Sequence, residues 1–122
     1  MSDTISCSCL CGTVTFTVTW PDHVTSCNCS ACRRYMALWA YDPPGTLTFT
    51  KGEGETVAFT RGDHELAFHH CQTCGAVTHW QGIVNDRRAG NVRLADDPDV
   101  LDRLRVHYFD GADSWTTIRI EG

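Results

Sequence analysis

Cys9-Leu10-Cys11-Gly12-Thr13-Val14-Thr15-Phe16-Thr17-Val18-Thr19-Trp20 joins two patterns in twelve residues. From Thr13 to Trp20, threonine alternates with an apolar residue at a strict period of two. All eight residues are strand formers, so the stretch predicts a β-strand with Val14, Phe16, Val18 and Trp20 on one buried face. Just before it, Cys9 and Cys11 stand two apart with Gly12 behind them. Two thiolates on a tight turn can reach one metal ion. A glycine there can take a positive φ, which turns backbone N–H groups toward the sulfurs. A half-buried strand leaving a thiolate turn points to a small β protein organised around metal.

Working outward, other short apolar runs fit the same plan. Tyr35 to Tyr41 reads as a strand ended by Asp42-Pro43-Pro44-Gly45. Leu47 to Thr50 and Val57 to Thr60 flank a glycine-rich turn, Lys51-Gly52-Glu53-Gly54. Leu66 to His70 runs into Cys71, Ala76 to Trp80 leaves Cys74, Asn91 to Leu94 is a weaker strand, and Trp115 to Ile120 is another. Asp97-Pro98-Asp99 looks like a helix start, and Val100, Leu101 and Leu104 would give that helix one apolar face. The chain has 122 residues and 42% hydrophobic content. Its length suits one domain, residues 1–122 with a core over about 5–115, mainly β with one short helix near the C-terminus.

The formal net charge is −5. Only Arg33-Arg34 and Arg87-Arg88 form local basic spots, too little to track a nucleic-acid backbone, so nucleic acid is excluded as a partner. Met1 to Ile5 carries no basic region and no signal-length apolar run, and no stretch approaches a membrane span. A cytoplasmic protein is expected, and in that compartment dense cysteines favour metal over disulfides.

The eight cysteines include three clusters: Cys9-Leu10-Cys11-Gly12, Cys27-Asn28-Cys29-Ser30-Ala31-Cys32 and Cys71-Gln72-Thr73-Cys74-Gly75. The first and third each supply two ligands and a following glycine. Together they make a closed four-thiolate zinc site. The middle cluster supplies three from one loop, the ligand count of a zinc with an open position. Two zinc ions per chain are expected, the second more labile. Bound through seven thiolates, they would take the net charge from −5 to about −8. Four disulfides are the competing reading of eight cysteines. The open position could also be closed by His69, His70 or Cys7, which would make both sites structural and the protein a non-catalytic two-zinc interaction module. Cys7 reads as a spare thiol.

Three clusters in this order resemble the glutathione-dependent formaldehyde-activating enzyme family, which includes centromere protein V. The match is carried by Cys9-Leu10-Cys11-Gly12, Cys27-Asn28-Cys29-Ser30-Ala31-Cys32-Arg33 and Phe68-His69-His70-Cys71-Gln72-Thr73-Cys74-Gly75, with the first strand and the Lys51-Gly52 turn in support. Met36 stands where the family often has glycine. The resemblance implies a β-tent fold of small antiparallel sheets around zinc. It implies that Cys9, Cys11, Cys71 and Cys74 hold a structural zinc and that Cys27, Cys29 and Cys32 hold a catalytic one. It also implies addition of glutathione to formaldehyde, a carbon–sulfur lyase activity.

For such an activity the residues offer a specific arrangement. A thiol at the open position would be deprotonated near neutral pH and would attack a carbonyl carbon. A metal already bound by three thiolates is a weak Lewis acid, so orienting a sulfur nucleophile is its expected task. Arg33 and Arg34 are the candidate contacts for the carboxylates of a glutathione-like thiol. Tyr35, Trp39, Trp80 and Trp115 could line a pocket or pack in the core.

Overall fold

The computed structural model describes residues 4–42 and 46–122. Met1-Ser2-Asp3 and the turn expected at Pro43-Pro44-Gly45 lie outside the described residues. In chain order the elements are β1 (Thr4–Ser8), β2 (Thr15–Thr19), β3 (Val24–Cys27), α1 (Ser30–Tyr35), β4 (Trp39–Asp42), β5 (Leu47–Lys51) and β6 (Thr56–Thr60). There follow β7 (Leu66–Cys71), β8 (Val77–Gly82), β9 (Arg88–Asn91), a 3-10 turn (Val92–Leu94), α2 (Val100–Arg103), β10 (Val106–Phe109) and β11 (Thr117–Glu121). The strands form a small sheet ordered β1-β2-β5 and a large one ordered β11-β10-β3-β4-β9-β8-β7-β6. The architecture is mainly β, as expected. The large sheet is mixed, because β10 runs parallel to β3. No described helix is long and apolar enough to cross a membrane.

The period of two in β2 does what the pattern predicts. Val14, Phe16 and Val18 are buried while the threonines between them face outward. Trp20 is only half-buried and takes the Arg103 guanidinium over its ring at 5.1 Å. The small sheet lays Ile5, Phe16, Val18 and Leu47 onto Val24, Leu38, Ala40 and Val92 of the large-sheet side, and Val100 of α2 and Leu104, which caps that helix, close the core. Gly90 permits that approach: a Cβ there would lie 3.1 Å from Phe16 and 3.2 Å from Val18. Trp39 and Trp80 pack in a second cluster with Phe68 and Ala89.

Three departures from the sequence expectations have local causes. The run from Tyr35 to Tyr41 is not one strand. Tyr35 ends α1, Met36 caps that helix at φ 55, and the strand starts at Trp39. Asn91 to Leu94 also divides. The Asn91 side chain accepts the Arg93 N–H and turns the chain into a 3-10 turn. The same amide accepts from Leu38 N–H at 3.1 Å and donates to the Val77 carbonyl at 2.8 Å, so a buried polar side chain holds three segments with its groups satisfied. Finally, β1, β3 and β10 carry no strong pattern of their own and are strands because of their neighbours.

Candidate metal centres

The first cysteine group lies where the two sheets meet. Cys9 and Cys11 follow β1 of the small sheet, while Cys71 ends β7 and Cys74 precedes β8 in the large one. Two turns of the same design present them. Cys9 N–H donates to the Val14 carbonyl and Cys71 N–H to the Ala76 carbonyl, each at 2.9 Å. Gly12 at φ 81 and Gly75 at φ 82 supply the left-handed residue each turn requires. The four Sγ atoms lie within 4.8 Å of one another. Cys11 Sγ is 3.7 Å from both Cys9 Sγ and Cys71 Sγ. A tetrahedron with Zn–S arms of about 2.3 Å has edges of about 3.8 Å, so the donor set and its spacing fit zinc.

Backbone donors face these sulfurs. Val14 N–H reaches Cys9 Sγ at 3.2 Å, and Thr73 N–H reaches Cys71 Sγ at 3.4 Å. Hydrogen bonding with the Thr13 side chain and backbone pulls the Cys11 thiol down to about 6. Backbone hydrogen bonds, first from Ala76, lower Cys74, whereas burial raises Cys9. Metal ligation needs all four as thiolates, so a cation bound here would displace the protons that the cluster still carries.

The second group is Cys27, Cys29 and Cys32, again with Sγ atoms within 4.8 Å of one another. Cys27 ends β3. Cys29 is the N-cap of α1, its sulfur accepting the Cys32 N–H at 3.3 Å in the place where serine or aspartate commonly serves. Three residues apart at the start of a helix, Cys29 and Cys32 share one face. Trp39 Nε1–H donates to Cys32 Sγ at 3.4 Å. The hydrogen bond from Cys32 is the first cause that brings the Cys27 thiol down to about 6, with the Gly111 N–H contributing; Cys32, which provides that bond and is buried, moves up.

The loop after β10 clasps this cysteine loop. Asn28 Nδ2 donates to Asp110 Oδ1 at 3.1 Å, Ala112 N–H donates to Asn28 Oδ1 at 3.0 Å, and Asn28 N–H donates to the Phe109 carbonyl at 3.2 Å. Ser114 N–H and Oγ–H both donate to Asp110 Oδ2.

A cleft of about 390 Å³ opens beside the trio, with Cys27 and Cys32 in its lining. Arg33 lines it. Arg34 does not, because its guanidinium turns back to the Ser30 carbonyl at 2.8 Å. Sequence reading missed Arg93, Tyr108 and Arg119, which also line it. No local signal could have found them, since strand pairing alone brings Tyr108 and Arg119 there, and the 3-10 turn and a hydrogen bond to the Met36 carbonyl bring Arg93. Trp39 and Trp80 are core residues, Tyr35 packs on Phe68, and Trp115 is exposed against Phe109.

The rival fourth ligands lie elsewhere. Among the described residues no histidine, carboxylate or further cysteine joins the trio. Cys7 is buried among Ile5, Phe16 and Val18, and burial pushes its thiol up to about 12. His69 stacks on His79 at 4.4 Å and bonds Thr56 Oγ1 at 2.8 Å. His70 pairs with Val57 and Val77 within the sheet.

A Rhodobacter sphaeroides protein solved by crystallography in a structural genomics programme has a similar fold. It is 27% identical, with a TM-score of 0.66 over 84% of this chain and 99% of that one. No curated protein matches significantly. The family model described as "Glutathione-dependent formaldehyde-activating enzyme" matches residues 4–107, which include all seven clustered cysteines. The chain belongs to the glutathione-dependent formaldehyde-activating enzyme family.

Proposed function

We propose that the chain is a two-zinc enzyme that adds a small thiol to a small carbonyl compound, with glutathione and formaldehyde as the family's candidates. Cys9, Cys11, Cys71 and Cys74 would hold a structural zinc, and Cys27, Cys29 and Cys32 a second one. The observation that carries the reading is the trio at the edge of an open cleft, with no fourth protein ligand among the described residues. Zinc bound there would supply the positive charge that keeps an incoming thiol ionised near neutral pH. The chain's own part is to fix the geometry. Trp39 N–H and the Cys32 N–H hold two of the sulfurs in place, while Met36, Phe109 and Ile118 furnish an apolar wall. In the reaction a sulfur–carbon bond forms, the carbonyl π pair moves to oxygen, and that oxygen takes the proton lost by the thiol. Nothing is oxidised and no group leaves.

The test replaces zinc with Co²⁺ and adds glutathione. Thiolate charge-transfer bands should grow with glutathione in the intact chain and be unresponsive in Cys29→Ala, and exchange of formaldehyde with its glutathione adduct should accelerate. A cobalt spectrum that no thiol alters would make the protein a binding module. Thiol binding without acceleration would leave the site standing and change the substrate.

A further inference from the structure

We infer that Arg119, laid across Tyr108 on the outer wall of the cleft, is a specificity-determining residue that makes the site prefer thiols carrying a carboxylate. The inference rests on the trio being a thiol site and names the class of thiol it takes. Its first support is register. Ser26 of β3 pairs with Tyr108 of β10, and Tyr108 pairs with Arg119 of β11. Paired residues point to one face of a sheet, so the three form a row across three strands, and all three line the cleft. Cys27, the next residue of β3, lines the same cleft, which brings the row and the sulfur it would serve to one hollow.

The second support is how Arg119 is held. Its Cζ lies 4.0 Å from the centroid of the Tyr108 ring, and its Nε is 2.7 Å from Glu121 Oε2. A guanidinium fixed on an aromatic face and by one edge has a terminal fork already oriented for a planar anion. A freely moving surface arginine would have to be ordered first.

Third, the charge of the cleft runs against that of the chain. Arg33, Arg93 and Arg119 all line it, and no aspartate or glutamate does. The whole chain, by contrast, has a formal net charge of −5. Arg93 is also fixed, its Nε donating to the Met36 carbonyl at 2.9 Å. Glu121 balances Arg119 along one edge only, so three arginines lining one hollow leave a positive field there that attracts an anion. At about 390 Å³ the hollow is at the small end of ligand sites, which run from about 300 to 1,000 Å³, so the anion must belong to a small molecule. Tyr108, Phe109, Ile118 and Arg119 lie beyond residue 107, where the family match ends. The cysteines therefore belong to the shared pattern, and this selecting wall is carried by the stretch outside it.

The experiment uses the full zinc-loaded chain and titrates 3-mercaptopropionate, 2-mercaptoethanol and cysteamine by calorimetry. The quantity read is the ratio of the 2-mercaptoethanol to the 3-mercaptopropionate dissociation constant. Comparing this ratio between variants cancels the different acidities of the thiols. Arg119→Gln should lower it about tenfold, and Arg119→Lys should recover only part, because the charge returns without the fork. Tyr108→Leu should lower it two- to fivefold by removing the platform. Raised salt should compress the ratio in the intact chain, and cysteamine should gain from Arg119→Gln. Arg61→Gln, in a turn remote from the cleft, should leave the ratio alone. Arg119 is 60% exposed, so its replacement leaves the core intact, which circular dichroism verifies. If all three thiols bind and Arg119→Gln does not move the ratio, this inference is overturned while the thiol site stands. If none binds the intact chain, the functional reading falls and takes the inference with it.

Discussion

Gly111 rests directly against Cys27: a Cβ at position 111 would stand 2.5 Å from the Cys27 Sγ and 3.5 Å from the Cys29 Cβ. A glycine is required here by contact, because only a residue without a side chain lets the clasping loop touch the cysteine loop. The Asn28–Asp110 hydrogen bond holds the two together.

From this contact, Gly111→Ala should push the Cys27 sulfur out of position without unfolding the chain. The affinity for the second zinc should fall tenfold or more, as second-shell losses at metal sites commonly do, while the first zinc is retained. Competition with a chromogenic chelator separates the two. An alanine variant that holds both ions as tightly as the parent would show that the sulfur yields freely.

The two cysteine groups should differ in what they hold. Cys11 and Cys71 are 60 positions apart and join the small sheet to the large one, so an ion shared between them would close a long loop. Cys74→Ala should cost about 5 kcal/mol or more, enough to unfold a domain of this size. The trio comes from one stretch of ten residues or fewer and closes no such loop, so Cys29→Ala should stay folded. Circular dichroism and thermal melts decide between them. Equal loss in both variants would assign a structural role to the trio as well.

Asp42 predicts a pH dependence. Its carboxylate is nearly inaccessible, receives hydrogen bonds from Thr46 and Leu47 N–H, and pairs with Arg88 Nε at 2.7 Å. Burial would raise the acid, but the hydrogen bonds from Thr46 and Arg88 outweigh it and hold it below its usual value. A depressed acid stabilises the fold above its unfolded pKa, near 3.9, and that stability is lost as pH falls through the folded value. Asp42→Asn should therefore be less stable than the parent at pH 7 by about 1–3 kcal/mol, with the gap closing below about pH 4. Denaturant melts across pH 3 to 7 test it. A gap that stays constant with pH would assign the loss to packing.

What could be read from the chain beforehand was local. The alternation from Val14 to Val18 and the glycines after Cys11 and Cys74 carry their meaning within a few residues. The helix at Ser30 to Tyr35 was not legible because a cysteine caps it and its six residues are too few for a helical period to show. Its end at Met36 explains why a glycine would suit that position, since φ 55 is a left-handed conformation that methionine adopts only at a cost. Arg119 was invisible for a different reason. Its place is set by pairing with Tyr108, whose own place is set by a parallel pairing with Ser26, more than eighty positions earlier. Charge clusters near the cysteines pointed to Arg34, which the helix turns away.

The β3–β10 pairing also sets an order of events as the chain is made. Cys27, Cys29 and Cys32 leave the ribosome well before the strands that wall them in, Val106–Phe109 and Thr117–Glu121. Domains form progressively during synthesis, so the three thiols meet the cell's metals and oxidants before their cleft exists. The partners of Cys9 and Cys11 arrive sooner, with residues 71 and 74. The sheet-joining centre can thus mature on the growing chain before the cleft, which takes shape only once β10 and β11 have emerged.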